Sequence, residues 1–283
     1  MPVKIVECPR DAMQGFHSFI KTDDKIAYIN QLLKVGFYAL DCGSFVSAKS
    51  VPQLADTANV LNNIDFPLNG TKLLVITANE RGAAEACSFK NVSTLGFPFS
   101  ISEQFQLRNT KQNFQQATNT LININELCQK ADKELLVYLS MGFGNPYDEP
   151  WSVELAFDWC AKLANLGITQ INLSDTIGKA QAHDISELFE LCLKHLPQVE
   201  FGAHFHTRPD NYLENIQAAY NAGCRKFDTA IKGFGGCPFA TDKLTGNLPT
   251  EDLLRFFDDI NETISIDKNA FAQAFNFAAG IFI

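Results

Sequence analysis

The chain has 283 residues, is 46% hydrophobic and carries a formal net charge of −9. That length supports one large core or two modest ones. The acidic balance argues against a nucleic-acid groove or an anionic membrane surface as the main partner.

The N-terminus, MPVKIVECPR, has no signal-peptide apolar core. The first β-rich run, KIVECP (4–9), begins a strand expected to end in Arg10 and Asp11. A helical pattern, TDDKIAYINQLLKVG, precedes the second run, FYALDCGS (37–44), which contains Asp41. Further runs follow at KLLVITAN (72–79), VSTLGF (92–97) and ELLVYLSM (134–141). After the helical SVELAFDWCAKLANLG comes TQINLSDT (169–176), holding Asp175. VEFGAHFH (199–206) then ends in His204 and His206. The helical NYLENIQAAYNAG precedes the last run, KFDTAIKG (226–233). The intervening segments place apolar residues at spacings of 3–4 and end on glycine, as helices do. Strand–helix alternation implies parallel strands joined by crossovers, and eight strands in about 250 residues predicts an α/β fold, a (β/α)8 TIM barrel. A doubly wound open sheet is the competing architecture, but ECPRDAMQG after the first strand is not a phosphate loop.

Three segments resemble one another: LLKVGFYALDCGSF, LANLGITQINLSDTIG and AYNAGCRKFDTAIKGFGG. Each is a helix end, a glycine, a β-run and an aspartate near the strand exit, the weak repeat a barrel would produce. With no Pro/Gly/Ser-rich linker in the chain, one barrel domain over 1–283 with C-terminal helices is expected. The eight cysteines show no CxxC spacing and mostly sit in apolar segments, so free thiols in a reducing cytoplasm are expected. The final apolar run is too short to span a bilayer, leaving a terminal helix or an oligomer contact. No membrane partner is expected.

In such a barrel, polar residues at the C-terminal strand ends share one mouth. His204 and His206, two apart on a strand, project to the same side while Phe205 goes under the helices. Two imidazoles with the carboxylate of Asp11 make a divalent-metal arrangement. A structural pairing of the histidines, and a rim ion pair for Arg10 and Asp11, are the plainer alternatives. Gly233, Gly235 and Gly236 precede Cys237, a stronger chemical candidate than the other cysteines because its loop is glycine-rich. Thr250 is expected to cap the next helix, freeing Asn247.

Taken together, VKIVECPRDAMQ, SFVSAKSVPQLAD, LSDTIG, AHFH, GFGGCPFA and TGNLPTEDL resemble the 3-hydroxy-3-methylglutaryl-CoA lyase family of the DRE-TIM metallolyases. The resemblance implies a Mg²⁺ or Mn²⁺ held by Asp11, His204, His206 and Asn247. It implies catalytic roles for Arg10, Cys237, Asp41 and Asp175, and substrate contacts from Gln14, Ser44, Asn79 and Asn109. The implied reaction is retro-aldol cleavage of an acyl-CoA, yielding acetyl-CoA and acetoacetate, by a homo-oligomer such as a dimer. A condensing synthase sharing the barrel, and a non-catalytic acyl-CoA-binding barrel, are the alternatives. The chain departs from the family in having Asp41 for a glutamate, His17 at a lysine position, TRPD after the histidines, and Lys232 for a small residue.

Overall fold

A computed structural model of the chain describes residues 2–16, 18–67, 69–208, 211–236 and 245–282. Eight strands match the eight predicted runs: β1 (Lys4–Glu7), β2 (Ala39–Ser44), β3 (Lys72–Ile76), β4 (Val92–Ser100), β5 (Glu134–Ser140), β6 (Gln170–Asp175), β7 (Glu200–Thr207) and β8 (Lys226–Thr229). Each pairs in parallel with its neighbour, and β8 closes on β1, giving the TIM barrel. A two-residue strand, β9 (Gly246–Asn247), was not foreseen; it runs antiparallel to β7 and sets Asn247 opposite His206.

The helices are α1 (Pro9–Gln14), α2 (Thr22–Val35), α3 (Thr57–Asn63), α4 (Glu80–Cys87), α5 (Glu103–Thr110) and α6 (Phe114–Lys130). They continue with α7 (Val153–Asn165), α8 (Ala182–His195), α9 (Tyr212–Asn221), α10 (Thr250–Asp259) and α11 (Lys268–Ile281). Local chemistry starts several of them: Asn113 and Gln116 form a capping box on α6, and Ser152 accepts from the Leu155 amide at α7. None of the helices is long and apolar enough to cross a membrane among the described residues.

The period-2 alternation of the strands divides the core into two layers. Leu73, Val75, Val137 and Leu139 pack outward beneath the helices, whereas Leu74, Ile76, Leu136 and Tyr138 pack together inside the barrel. The strands are buried on both faces, which is why they read as continuous apolar runs. The C-terminal tail packs as a helix against α2. Phe277 stacks on the buried Tyr28 at 6.2 Å, and Phe271 meets Phe37 edge-on at 6.4 Å. The terminal helix expected for the tail is observed.

Two local expectations are corrected. Arg10 and Asp11 do not end the first strand, because β1 stops at Glu7 and Pro9 opens α1, where its missing N–H costs nothing. Thr250 does not cap α10, since Pro249 holds the cap position; its hydroxyl instead donates to Glu7 Oε2 at 2.6 Å. Glu7 is fully buried and also accepts from the Ile231 amide at 2.8 Å. It thereby ties the first strand to the segment leading into the last helices.

Candidate active site

The turn of α1 carries Arg10 and Asp11 across the C-terminal mouth, where both are buried. Arg10 Nε and Nη2 donate to Asp41 Oδ2 at 2.9 and 2.5 Å, and Nη1 donates to Asp11 Oδ1 at 2.8 Å and Gln14 Oε1 at 3.0 Å. Asp41, although one methylene shorter than glutamate, therefore reaches the guanidinium. Four of the five guanidinium N–H groups are used in these bonds, leaving one on Nη2. Burial works to raise the Asp11 pKa, but Arg10 and the two histidines outweigh it and hold the carboxyl well below the usual carboxylate range.

His204 and His206 rise from β7 on the inner side, while Phe205 packs outward against Phe143. His206 Nδ1 lies 2.9 Å from the Thr176 carbonyl oxygen. Since a carbonyl only accepts, Nδ1 carries the proton and Nε2 presents a lone pair. His204 Nδ1 lies 3.0 Å from Asp228 Oδ2, which sets the same tautomer. One ligand atom from each of Asp11, His204 and His206 falls within 4.8 Å of the others. Asp11 Oδ2 and His206 Nε2 are both buried without a hydrogen-bond partner, and at 3.7 Å they are too far apart to bond each other. Two buried acceptors facing one another at that distance are costly unless a cation lies between them. One carboxylate and two imidazoles suit a divalent ion. Asn247, paired in register with His206, donates through Nδ2 to the Phe234 carbonyl at 2.8 Å, which leaves its Oδ1 as the available ligand atom.

From this cluster a cavity of about 600 Å³ opens outward. Gln14, Ser44, Asn79 and Asn109, the expected substrate contacts, all line it. Asn79 spends its carbonyl oxygen capping α4 through the Gly82 amide at 2.9 Å, so its Nδ2 is what it can offer a ligand. Asp175 does not line the cavity. Its two oxygens accept from the amides of Lys179 and Ala180 at 3.0 and 2.8 Å, which shapes the loop after β6. Arg208 and Lys232 are not cavity walls either; Lys232 adopts a left-handed φ of 61° and sets its ammonium 4.6 Å from the Phe275 ring. Cys237 and His17 lie outside the described residues.

Gly235 shows how the glycine loop meets the site. At its φ of 93°, an added Cβ would stand 2.5 Å from the Asp11 carbonyl oxygen and 2.7 Å from Asn247 Nδ2. The loop leading to Cys237 thus crosses directly over two of the expected ligands.

Sequence reasoning missed Asp228, Asn172, Thr176 and Tyr138. Tyr138 lines the cavity with its ring 5.2 Å from that of His204, and its buried hydroxyl has no partner. Asp228 carried a signal, being the aspartate of the third internal-repeat segment. Thr176 acts through its backbone carbonyl, which no side-chain pattern reveals.

Fold and site define a class: a closed parallel barrel whose C-terminal mouth carries a His–X–His and aspartate cluster fit to hold a cation, beside a buried arginine. Residues 3–277 match the HMGL-like family model, and the chain belongs to that family. It is 31% identical over 270 residues to the hydroxymethylglutaryl-CoA lyase YngG of Bacillus subtilis, covering 92% of this chain and 87% of that one. Identity is also 31% over 279 residues to the mitochondrial hydroxymethylglutaryl-CoA lyase of Mus musculus, covering 97% and 84%. The solved Bacillus subtilis HMG-CoA lyase superposes with a TM-score of 0.92 at 29% identity, covering 99% of this chain and 95% of that one. An Acinetobacter baumannii HMG-CoA lyase, solved with coenzyme A and 3-methylmalate, gives 0.91 at 30% identity, covering 99% and 91%.

Proposed function

We propose that this protein is a carbon–carbon lyase that cleaves 3-hydroxy-3-methylglutaryl-CoA, or a close 3-hydroxyacyl-CoA, to acetyl-CoA and a 3-oxo acid, acetoacetate for the parent substrate. The observation that carries this reading is the pair of facing, unpartnered ligand atoms on Asp11 and His206 beside His204. We assign Mg²⁺ or Mn²⁺ to Asp11, His204, His206 and Asn247. When bound, such an ion supplies concentrated positive charge that acidifies a substrate hydroxyl and fixes its position.

The hydroxyl gives up its proton to a base or to solvent and the departing carbon later gains one, so the two transfers cancel; the chain's own groups handle the charge in between. Cleavage moves the bonding electron pair onto the carbon next to the thioester, and negative charge spreads to the thioester oxygen. The remaining Nη2 N–H of Arg10 is available to that oxygen, and Asp41, Asp11 and Gln14 hold the guanidinium plane still. The carbon left behind needs a proton, which we assign to Cys237 or a water it orients. Gln14, Ser44, Asn79 and Asn109 are the groups that would align the acyl-CoA along the cavity. The lyase relatives, similar over nearly the whole chain, favour cleavage over condensation. All seven cysteines among the described residues are free, which fits a reducing compartment such as the cytoplasm.

The test is release of acetyl-CoA from 3-hydroxy-3-methylglutaryl-CoA by cation-loaded protein, with and without chelator. Turnover is expected to depend on the cation and to fall at least 10³-fold, roughly 4 kcal/mol, in Asp11→Ala and His206→Ala. Turnover unchanged in both variants would reject the site. Cys237→Ala is expected to lose rate while retaining its cation.

A further inference from the structure

We infer that Asp228 is a positioning residue for His204, that Asn172 seats it, and that Gly202 exists to make room for Asn172. The inference rests on the assignment of Asp11, His204 and His206 to a cation.

The three residues occupy adjacent strands in register: Asn172 on β6 is level with Gly202 on β7, and His204 is level with Asp228 on β8. Asp228 Oδ2 sits 3.0 Å from His204 Nδ1 and accepts from Asn172 Nδ2 at 2.9 Å. Asn172 is 0% and Asp228 2% exposed, so neither bond competes with solvent. Because the carboxylate can only accept, it fixes the proton on Nδ1 and leaves Nε2 bare, the form a cation requires. The amide from Asn172 pins the same oxygen from the side and fixes the carboxylate's direction. Asn172 in turn has its place because position 202 lacks a side chain. A Cβ there would stand 2.4 Å from Asn172 Oδ1 and 2.9 Å from its Cγ.

The two ligand histidines are thus oriented by different means. His206 leans on a backbone carbonyl, that of Thr176, which substitution cannot delete. His204 leans on a charged side chain two residues deep in a relay, and an anionic acceptor makes an imidazole a stronger ligand than a neutral one. The glycine at the head of GAHFH therefore serves the histidine two places later, through two other strands.

Mn²⁺ affinity of the full chain, measured by electron paramagnetic resonance, reads the effect without turnover. Asp228→Asn keeps the shape and an acceptor but removes the charge, and is expected to bind Mn²⁺ about 10- to 100-fold more weakly. Gly202→Ala is expected to weaken binding in the same direction by displacing the amide, and Asn172→Ala by releasing it. In the metal-free protein, ¹⁵N resonances should show the Nδ1–H form at both His204 and His206. Asp228→Ala should lose that signature at His204 alone; if it does not fold, the Mn²⁺ affinity of Asn172→Ala tests the relay. Wild-type affinity in Asp228→Asn and Gly202→Ala would overturn the relay and leave the lyase reading standing. A wild-type protein that binds no Mn²⁺ would overturn the cation assignment and the relay with it.

Discussion

The two ends of this barrel are both charged, yet they differ in whether their charges are satisfied. At the N-terminal end, Lys4 pairs with Glu200, Lys72 with Glu134, and Lys226 Nζ lies 3.2 Å from Gln170 Oε1. The remaining Glu134 oxygen accepts from Thr94 and Gln170, and the Tyr38 ring takes the ammoniums of Lys4 and Lys72 at 4.6 and 5.3 Å. At the C-terminal end, Asp11 Oδ2, Asp41 Oδ1, His206 Nε2, Asp228 Oδ1 and the Tyr138 hydroxyl are all buried without partners. A fold holds that much unmet polarity in one place only if something else meets it. The satisfied end closes the barrel; the unsatisfied end receives a ligand.

The sharpest way to break this contrast is to change the buried guanidinium at the unsatisfied end. Arg10→Lys keeps a positive charge but cannot reproduce a planar group that serves Asp41, Asp11 and Gln14 at once. Turnover at saturating substrate is expected to fall about 10²- to 10³-fold, the loss that follows removal of one preorganised oxyanion donor. Thermal denaturation of the same variant separates this effect from unfolding. Wild-type turnover in Arg10→Lys would show that charge alone, not a fixed donor, is what the site requires.

Much of this arrangement was legible in the sequence, for identifiable reasons. The eight strands were visible because parallel strands buried on both faces are unbroken apolar runs. The histidine pair was visible because period-2 spacing states which side a strand residue faces. What escaped depends on contacts between distant segments. Nothing local distinguishes the Asp175 carboxylate, which turns back onto its own loop, from that of Asp228, which reaches His204. Asp175 is the last residue of its strand and Asp228 the last but one, each after a glycine just past the preceding helix. Thr250 looks like a helix cap until Glu7, 243 positions away, claims its hydroxyl. The short turn that removes Arg10 and Asp11 from the first strand follows from Pro9, but its direction across the mouth is set by the partner, Asp41.

Glu7 sharpens the comparison, being a buried acid at the mouth end that is fully satisfied. Ile231, Thr250 and Thr229 all donate to it, yet burial pushes its pKa from 4.5 to about 8. A pKa raised on folding means that the acid's contribution is fully present below pH 4.5. That contribution is lost as pH rises through about 8, when the carboxyl must ionise inside the fold. Glu7→Gln cannot ionise, so it is expected to gain stability relative to wild type between pH 5.5 and 8.5, by a few kcal/mol at about 1.4 kcal/mol per pH unit. Chemical denaturation midpoints at the two pH values check this, and cation affinity should not change. A wild-type minus variant difference that is flat with pH would place the ionised carboxylate comfortably in the core.

The smallest expected effect lies at the opposite end. Glu134 bonds Lys72 at 2.5 Å, but their side chains are 41% and 30% exposed, so water and salt screen the pair. Glu134→Gln retains an oxygen for Thr94 or Gln170 and removes only the charge. A stability loss below about 1 kcal/mol is expected, shrinking further at 1 M salt, with turnover and Mn²⁺ affinity at wild-type values. Comparable turnover losses from Glu134→Gln and Arg10→Lys would mean that charge is transmitted along the barrel axis. The satisfied end would then be part of the machinery rather than its support. Leu74, Ile76 and Leu136 make one wall of the interior apolar, so such transmission would have to run along β6 and β8, where Gln170 and Asn172, and Lys226 and Asp228, are two apart and share a face.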